Sequence, residues 1–393
     1  MDGAVDLSPR RLDILVDETG DEDSDSAWSE ATCGGRLTID LGAIVRNYRA
    51  LTPRASGARV AAVVKADAYG LGAGRVAPML AAAGCDTFFV AQVQEGIALR
   101  RDLPMSRILV LNGAAPGAEA ACLVHRLEPV LNGWSAFEAW SRATRIAGFR
   151  GPCAIQFDTG MARFGFGFAL ADAGRLAARI ARTDHMTVGL VMSHLACADT
   201  PEDPTNPAQR DAMTALRPIF PAAAFSLAAS SGIFLGQSYH LDLVRPGAAL
   251  YGVAPVPGEA NPMCPVVRLE SQVVQVRTVP GGAGIGYGHA ARAPGPMRLA
   301  TLAVGYADGL PRSLSGRGSA WLDGLRLPVV GRVSMDSIVV DVSRAPEGAV
   351  AHGDFLDLIG PANGIDGVGR EAGTIGYEVL TSLGRRYVRR YLA

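Results

Sequence analysis

The chain has 393 residues, 49% of them hydrophobic, and a formal net charge of -1. That length allows a large core and more than one domain, and the near-neutral charge gives no electrostatic support to a nucleic acid or other polyanion as partner. The six cysteines (Cys33, Cys85, Cys122, Cys153, Cys197 and Cys264) are scattered, with no CxxC pair and no metal-ligand spacing, so free thiols are expected and no metal site is. No apolar run is long enough to span a membrane and no signal-peptide core opens the chain, so a cytoplasmic location is expected.

Residues 1–34 read as a tail. Its stretch DETGDEDSDSAWSE (17–30) is acidic and Ser-rich, and is expected to be disordered and solvated. Residues 35–264 alternate short apolar runs with Ala-, Leu- and Arg-rich helical stretches. The candidate strands are RVAAVVKA, DTFFVAQ, RILVLNG, LEPVL, CAIQFD, TVGLVMSH, AFSLAAS and LVRPGAALYG. Helices are expected at GRVAPMLAAAG, EAACLVHR, SAFEAWSRATRIAG and ALADAGRLAARIAR. Eight strands with intervening helices predict an α/β fold, a (β/α)8 TIM-type barrel. The alternative, an open doubly wound sheet, is weakened because no GxGxxG follows the first strand. Residues 265–393 change texture. VVRLESQVVQVRTV, MRLATLAVGYAD, SAWLDGLRLPVVGRVSMDSIVVDVS and FLDLIG are long β-rich runs punctuated by turns, so a mainly β C-terminal domain is expected. A helix-like segment, YEVLTSLGRRYVRRYL, closes it.

Lysine and arginine together number 37, and a single one is lysine, Lys65. Arginine can replace lysine wherever a plain positive charge suffices. It cannot where a neutral amine is needed, because a guanidinium stays protonated and forms no ordinary imine. Lys65 also lies at the end of an apolar strand, where the catalytic groups of a barrel gather. Partial desolvation there lowers an amine's pKa and eases covalent chemistry with a carbonyl.

The segment VVKADAYG around Lys65 resembles the lysine motif of the alanine racemase family. The resemblance continues in order through FDTGMARFGF, SHLACAD, AASSG, DLVRPGAALYG, GIGYG, AVGYADG, VGRVSMDSIVVDV and GYEVL. It implies a pyridoxal 5'-phosphate enzyme built from a barrel and a β domain, acting on a small amino acid as a homodimer. It assigns Lys65 to the cofactor linkage. Tyr69, Ser231, the backbone of Gly247 and Tyr377 are implied as phosphate contacts, Arg245 as the partner of the pyridine nitrogen, and His194 as a neighbour of the ring. In most such enzymes an acid faces that nitrogen, whereas an arginine leaves it unprotonated and the ring a weaker electron sink. That favours return of the proton to the carbon it left.

Racemisation needs a base on each face of a planar carbon. The resemblance gives one face to Lys65 and the other to Tyr287, contributed by the partner subunit. Arg163 is implied near the ring hydroxyl and the substrate carboxylate, where a guanidinium fork fits. Met335 is implied at the pocket mouth, with Tyr306 and Arg312 in an entry channel. Two positions depart from the family pattern. Gln156 stands where a carbamylated lysine commonly supports the arginine, so Arg163 needs another anion. Ser334 stands where cysteine is frequent. The expected activity is interconversion of L- and D-alanine, supplying D-alanine for peptidoglycan. The alternatives are a racemase of other or broader range, such as one acting on serine, a barrel-type pyridoxal-phosphate decarboxylase, and a non-catalytic cofactor-binding barrel. That last class lacks a β domain.

Overall fold

The structure, a computed structural model, describes residues 32–148 and 150–393. The expected disordered segment at 17–30 lies outside the described residues.

Parallel strands run side by side in the order Ala62–Val63, Thr87–Val90, Arg107–Val110, Glu128–Leu131, Gly151–Asp158, Met186–Met192 and Ala224–Ser226. Leu243–Val244 closes the ring, pairing in parallel with Arg59–Val60, while Arg245 bridges to Ala229. At the closure the Ala61 N–H donates to the Val244 carbonyl at 3.0 Å and the Val63 N–H to that of Pro246 at 2.9 Å. The eight apolar runs thus form the barrel that their spacing predicts.

Helices cover the outside. Trp134–Ala147 shows why: Phe137, Trp140 and Thr144 recur at helical spacing and are buried, and Gly148 ends the helix in a left-handed conformation at φ 69°. Helices at Leu41–Arg54, Val93–Asp102 and Thr205–Ala215 add to the expected set.

The second sheet is mostly antiparallel and centres on the 13-residue strand Val267–Val279. Its first half pairs with Gly35–Asp40 and Phe355–Ile359, its second with Met297–Leu302. The segment read as a closing helix divides in two. Gly376–Ser382 is helical, but Val388–Leu392 is a strand lying parallel to Gly35–Asp40. Backbone pairing along a sheet edge outweighs the helical spacing of its arginines.

Strand parity explains the interior of the barrel. Side chains alternate between faces, and Ala61, Val63, Phe89, Leu109, Val130 and Leu190 form an inner cluster, while Ala62 and Val64 belong to the outer core under the helices. Truncating a fully buried residue such as Phe89 to alanine would cost about 3–5 kcal/mol.

Candidate active site

The same parity carries functional groups to the barrel mouth. Val63, Ala154, Met192 and Leu243 all face inward. Two residues beyond each stand Lys65, Gln156, His194 and Arg245. Four strands therefore deliver one amine, one amide, one imidazole and one guanidinium to one end of the barrel. Arg163 joins them from the loop after Gly151–Asp158, close enough to act electrostatically on both Lys65 and His194.

Lys65 opens an unusual turn. Ala66, Asp67, Ala68 and Tyr69 all have φ between 52° and 57°, one turn of left-handed helix without a glycine in it. Each such residue costs about 1–2 kcal/mol, so the surroundings must hold the turn in place. At its start the Ala66 N–H donates to Glu95 Oε1 at 2.8 Å. At its end Arg389 donates to the Gly70 carbonyl at 2.7 Å, and the Tyr391 hydroxyl to that of Leu71 at 3.1 Å. Gly70 is required there: at φ 84°, a Cβ would stand 2.8 Å from the Leu380 carbonyl oxygen. Burial, then the Arg163 charge, lowers the pKa of the Lys65 amine, while Glu95 opposes them.

Arg245 is 3% exposed, and among the described residues no carboxylate pairs with it. Its terminal nitrogens donate to Ser226 Oγ, to the Ser193 carbonyl at 2.7 Å and, more weakly, to the Leu227 carbonyl at 3.4 Å. None of these bonds uses Nε–H. Burial lowers its pKa to about 10, so it remains charged at neutral pH. His194 lies 3.5 Å from Arg245 through Nδ1. A guanidinium can only donate, so Nδ1 is the accepting nitrogen and Nε2 carries the proton. Burial first, then the charges of Arg245, Arg163 and Lys65, push the imidazole down to about 3 and keep it neutral.

Gln209 and Ser230, which sequence reasoning missed, brace this wall. Fully buried Gln209 accepts from the Ala196 N–H at 2.8 Å and donates to the His194 carbonyl at 2.9 Å and to Thr159 Oγ1 at 3.2 Å. Ser230 Oγ accepts from the backbone N–H of Gly247 at 3.0 Å and of Ala249 at 3.1 Å. The Gly247 N–H expected to face a phosphate is thus taken up within the protein. Gly247 has a second role, because a Cβ there would stand 2.4 Å from the Tyr69 hydroxyl. Tyr377, on the helix packed against the Lys65 turn, acts electrostatically on Tyr69. No hydrogen bond within the described residues uses the hydroxyls of Tyr69, Ser231 or Tyr377, which leaves three donors for a ligand.

The Arg163 loop is shaped from behind. Asp158 Oδ1 accepts from the N–H groups of Gly160, Met161 and Ala162 at 2.9, 2.9 and 3.1 Å. Gln156 does not reach Arg163; its amide donates to the Phe164 carbonyl at 3.3 Å. Among the described residues Arg163 has no ion-pair partner, and its guanidinium lies 5.8 Å from the Phe164 ring centre.

Tyr287 and Met335 lie elsewhere. Tyr287 sits between the short strands Gly284–Ile285 and Ala291–Arg292 and is 72% exposed; Met335 is 53% exposed. Tyr306 and Met335 belong to neighbouring loops, joined where the Ala307 N–H donates to the Met335 carbonyl at 3.0 Å. Asp308 braces the pair through Arg386, which also binds Asp336. Arg312 opens the short helical turn Arg312–Leu314 of the same domain. Tyr287 is not among the groups that act electrostatically on Lys65 within one chain.

A barrel with its sole lysine at one strand end, a buried arginine on the neighbouring strand and a β domain bracing the lysine's turn has the architecture of an enzyme of amine chemistry. Residues 39–255 match the family profile described as alanine racemase, N-terminal domain, and residues 266–391 that of the C-terminal domain. The chain belongs to the alanine racemase family, whose members are pyridoxal-phosphate-dependent enzymes. It is 52% identical to a protein of Mesorhizobium japonicum named "Alanine racemase, catabolic", covering 93% of this chain and 95% of that one. It is 46% identical to the alanine racemase of Brucella canis, covering 92% and 95%. The crystal structure of alanine racemase from Bartonella henselae with covalently bound pyridoxal phosphate superimposes with a TM-score of 0.87 at 40% identity, covering 91% of this chain and 99% of that one.

Proposed function

We propose that the protein interconverts L- and D-alanine with pyridoxal 5'-phosphate, using Lys65 of one subunit and Tyr287 of the partner subunit as the two proton-transfer groups. The convergence of Lys65, Arg245 and His194 on one barrel mouth, beside three unengaged hydroxyls, carries this reading. Pyridoxal phosphate supplies a carbonyl for amines and a conjugated ring that spreads the charge left when an α-proton departs. The residues fit that group. Arg245 can offer Nε–H to the ring nitrogen, and its charge leaves that nitrogen unprotonated. Tyr69, Ser231 and Tyr377 can donate to the phosphate, and the bare backbone at Gly247 leaves it room. Arg163, lacking an internal anion, suits the substrate carboxylate.

Lys65 then gives or takes the α-proton on its own face, and burial and the Arg163 charge, by lowering its pKa, ease the loss of its own proton. Tyr287 serves the opposite face only if a second chain brings it there. Exposed apolar side chains support such docking: Trp134, Phe164, Phe168 and Leu170 around the barrel, and Tyr287, Tyr306, Met335 and Ile375 on the β domain.

The two enantiomers have equal free energy, so the site serves either direction and cellular demand sets the net flow. D-alanine supply for peptidoglycan is one use. The relatives named catabolic favour the opposite use, return of D-alanine to L-alanine. We assign the protein to the cytoplasm, and among the described residues no helix is long and apolar enough to cross a membrane.

The test is incubation with L-alanine in D2O, which should yield D-alanine deuterated at the α-carbon, while borohydride reduction of the holoenzyme labels Lys65. Carbon dioxide release would favour a decarboxylase, and faster turnover of serine would favour the broader racemase. Growth of a deletion strain with and without D-alanine separates the two cellular roles.

A further inference from the structure

Glu95 is the third residue of helix Val93–Asp102, which follows the barrel strand next to that of Lys65. Its carboxylate spans two loops. Oε1 accepts from the Ala66 N–H at 2.8 Å, and Oε2 accepts from the N–H groups of Ala91 at 2.6 Å and Gln92 at 3.1 Å. Ala66 is the first of the four left-handed residues, so this bond sets where the turn departs from the strand. A helix's first turn favours a negative charge at this position, but a capping role alone would not send one oxygen to a neighbouring loop.

The charge balance points the same way. Lys65 is faced by Arg163 from the loop after Gly151–Asp158, by His194 from the end of Met186–Met192, and by Glu95. Asp67, though near in sequence, turns its carboxylate to the Ala73 N–H at 2.7 Å. Glu95 therefore supplies the negative charge in a neighbourhood that is otherwise cationic or neutral.

We infer that Glu95 is a positioning residue for the reaction: its carboxylate ties the left-handed turn to the next loop so that Lys65 points into the barrel mouth, and it supplies the counter-charge of the amine. The inference rests on Lys65 being the working amine. Its first readout does not require turnover.

Because Lys65 is the sole lysine, reductive methylation of the full chain stripped of cofactor, with 13C-formaldehyde, gives one side-chain resonance. Titrating that resonance by NMR reads the Lys65 midpoint directly. Glu95→Gln keeps the shape and removes the charge, and should lower the midpoint by about one pH unit. It should also speed hydrogen exchange at the Ala66 amide at least severalfold. Glu95→Asp keeps the charge but is one methylene too short to bridge both loops. It should hold the midpoint nearer the wild type while Ala66 still exchanges faster. In the holoenzyme the acidic limb of the kcat profile should move to lower pH in Glu95→Gln. An unchanged Lys65 midpoint and unchanged Ala66 exchange in folded Glu95→Gln would overturn the inference. Absence of racemisation in the wild type would instead strike the proposed activity and leave the titration to be decided on its own.

Discussion

The barrel mouth and the hairpin that carries Tyr287 differ in how much of their surroundings one chain supplies. At the mouth three groups have braces: Glu95 and Arg389 at the Lys65 turn, Ser193 and Ser226 on Arg245, Gln209 behind His194. Tyr287 lies exposed among glycines, with a fold around it but nothing over it. The first region is a finished half of a site, and the second has the character of a surface awaiting a complement. On the proposed reading, the amine preorganised by strand geometry would hold the cofactor, and the second base on the opposite face would come from another molecule.

The most severe way to break the finished half is Lys65→Ala, which should lower kcat/KM by about 10⁴-fold or more, since it removes both the proposed covalent anchor and a proposed proton-transfer group. Following alanine racemisation by circular dichroism checks it. Tyr287→Phe should cost about 10²–10³-fold while leaving the cofactor's absorbance in place. Mixing the two inactive variants sharpens the comparison. If each site takes its tyrosine from the other chain, a random mixture of dimers should recover about a quarter of wild-type activity, because half of the dimers hold one intact site. If lysine and tyrosine serve the same site from one chain, no activity returns.

A smaller effect concerns His194. Its folded pKa of about 3 lies below the unfolded value near 6.5. Below pH 6.5 the unfolded chain takes up a proton that the native site refuses, so native stability falls as pH drops through this window. The loss is up to about 1.4 kcal/mol per pH unit. Urea midpoints between pH 5 and 7 should therefore slope upward, and His194→Asn should flatten the slope. The smallest effect is expected at Gln156→Ala, which removes one hydrogen bond to the Phe164 carbonyl and should cost about 1 kcal/mol of stability. Because Gln156 does not hold Arg163, KM for alanine should change less than about threefold. A larger rise would show that the amide supports the arginine after all.

Much of the mouth was legible in the sequence because it follows from local rules. The eight apolar runs named the strands, and alternation along them sends Lys65, His194 and Arg245 to one side. The left-handed turn was not legible. VVKADAYG has no glycine where the backbone turns left-handed, and the residues that hold it stand 29 and 319 positions away. The strand Val388–Leu392 was missed for a related reason: its place is fixed by pairing with Gly35–Asp40 at the far end of the chain, which no local spacing reveals. Gln209 and Ser230 carry no signal of their own, since a glutamine in a helix and a serine in AASSG become braces only once the barrel closes around them.

That distance between the lysine and its braces bears on synthesis. On the ribosome the Lys65 turn emerges early, but Arg389 and Tyr391 are added more than three hundred residues later. A nascent chain can build much of its barrel while the turn still lacks the two contacts that fix its far end. The turn that begins at the chain's sole lysine therefore gains the contacts at its far end only after the second domain has been translated.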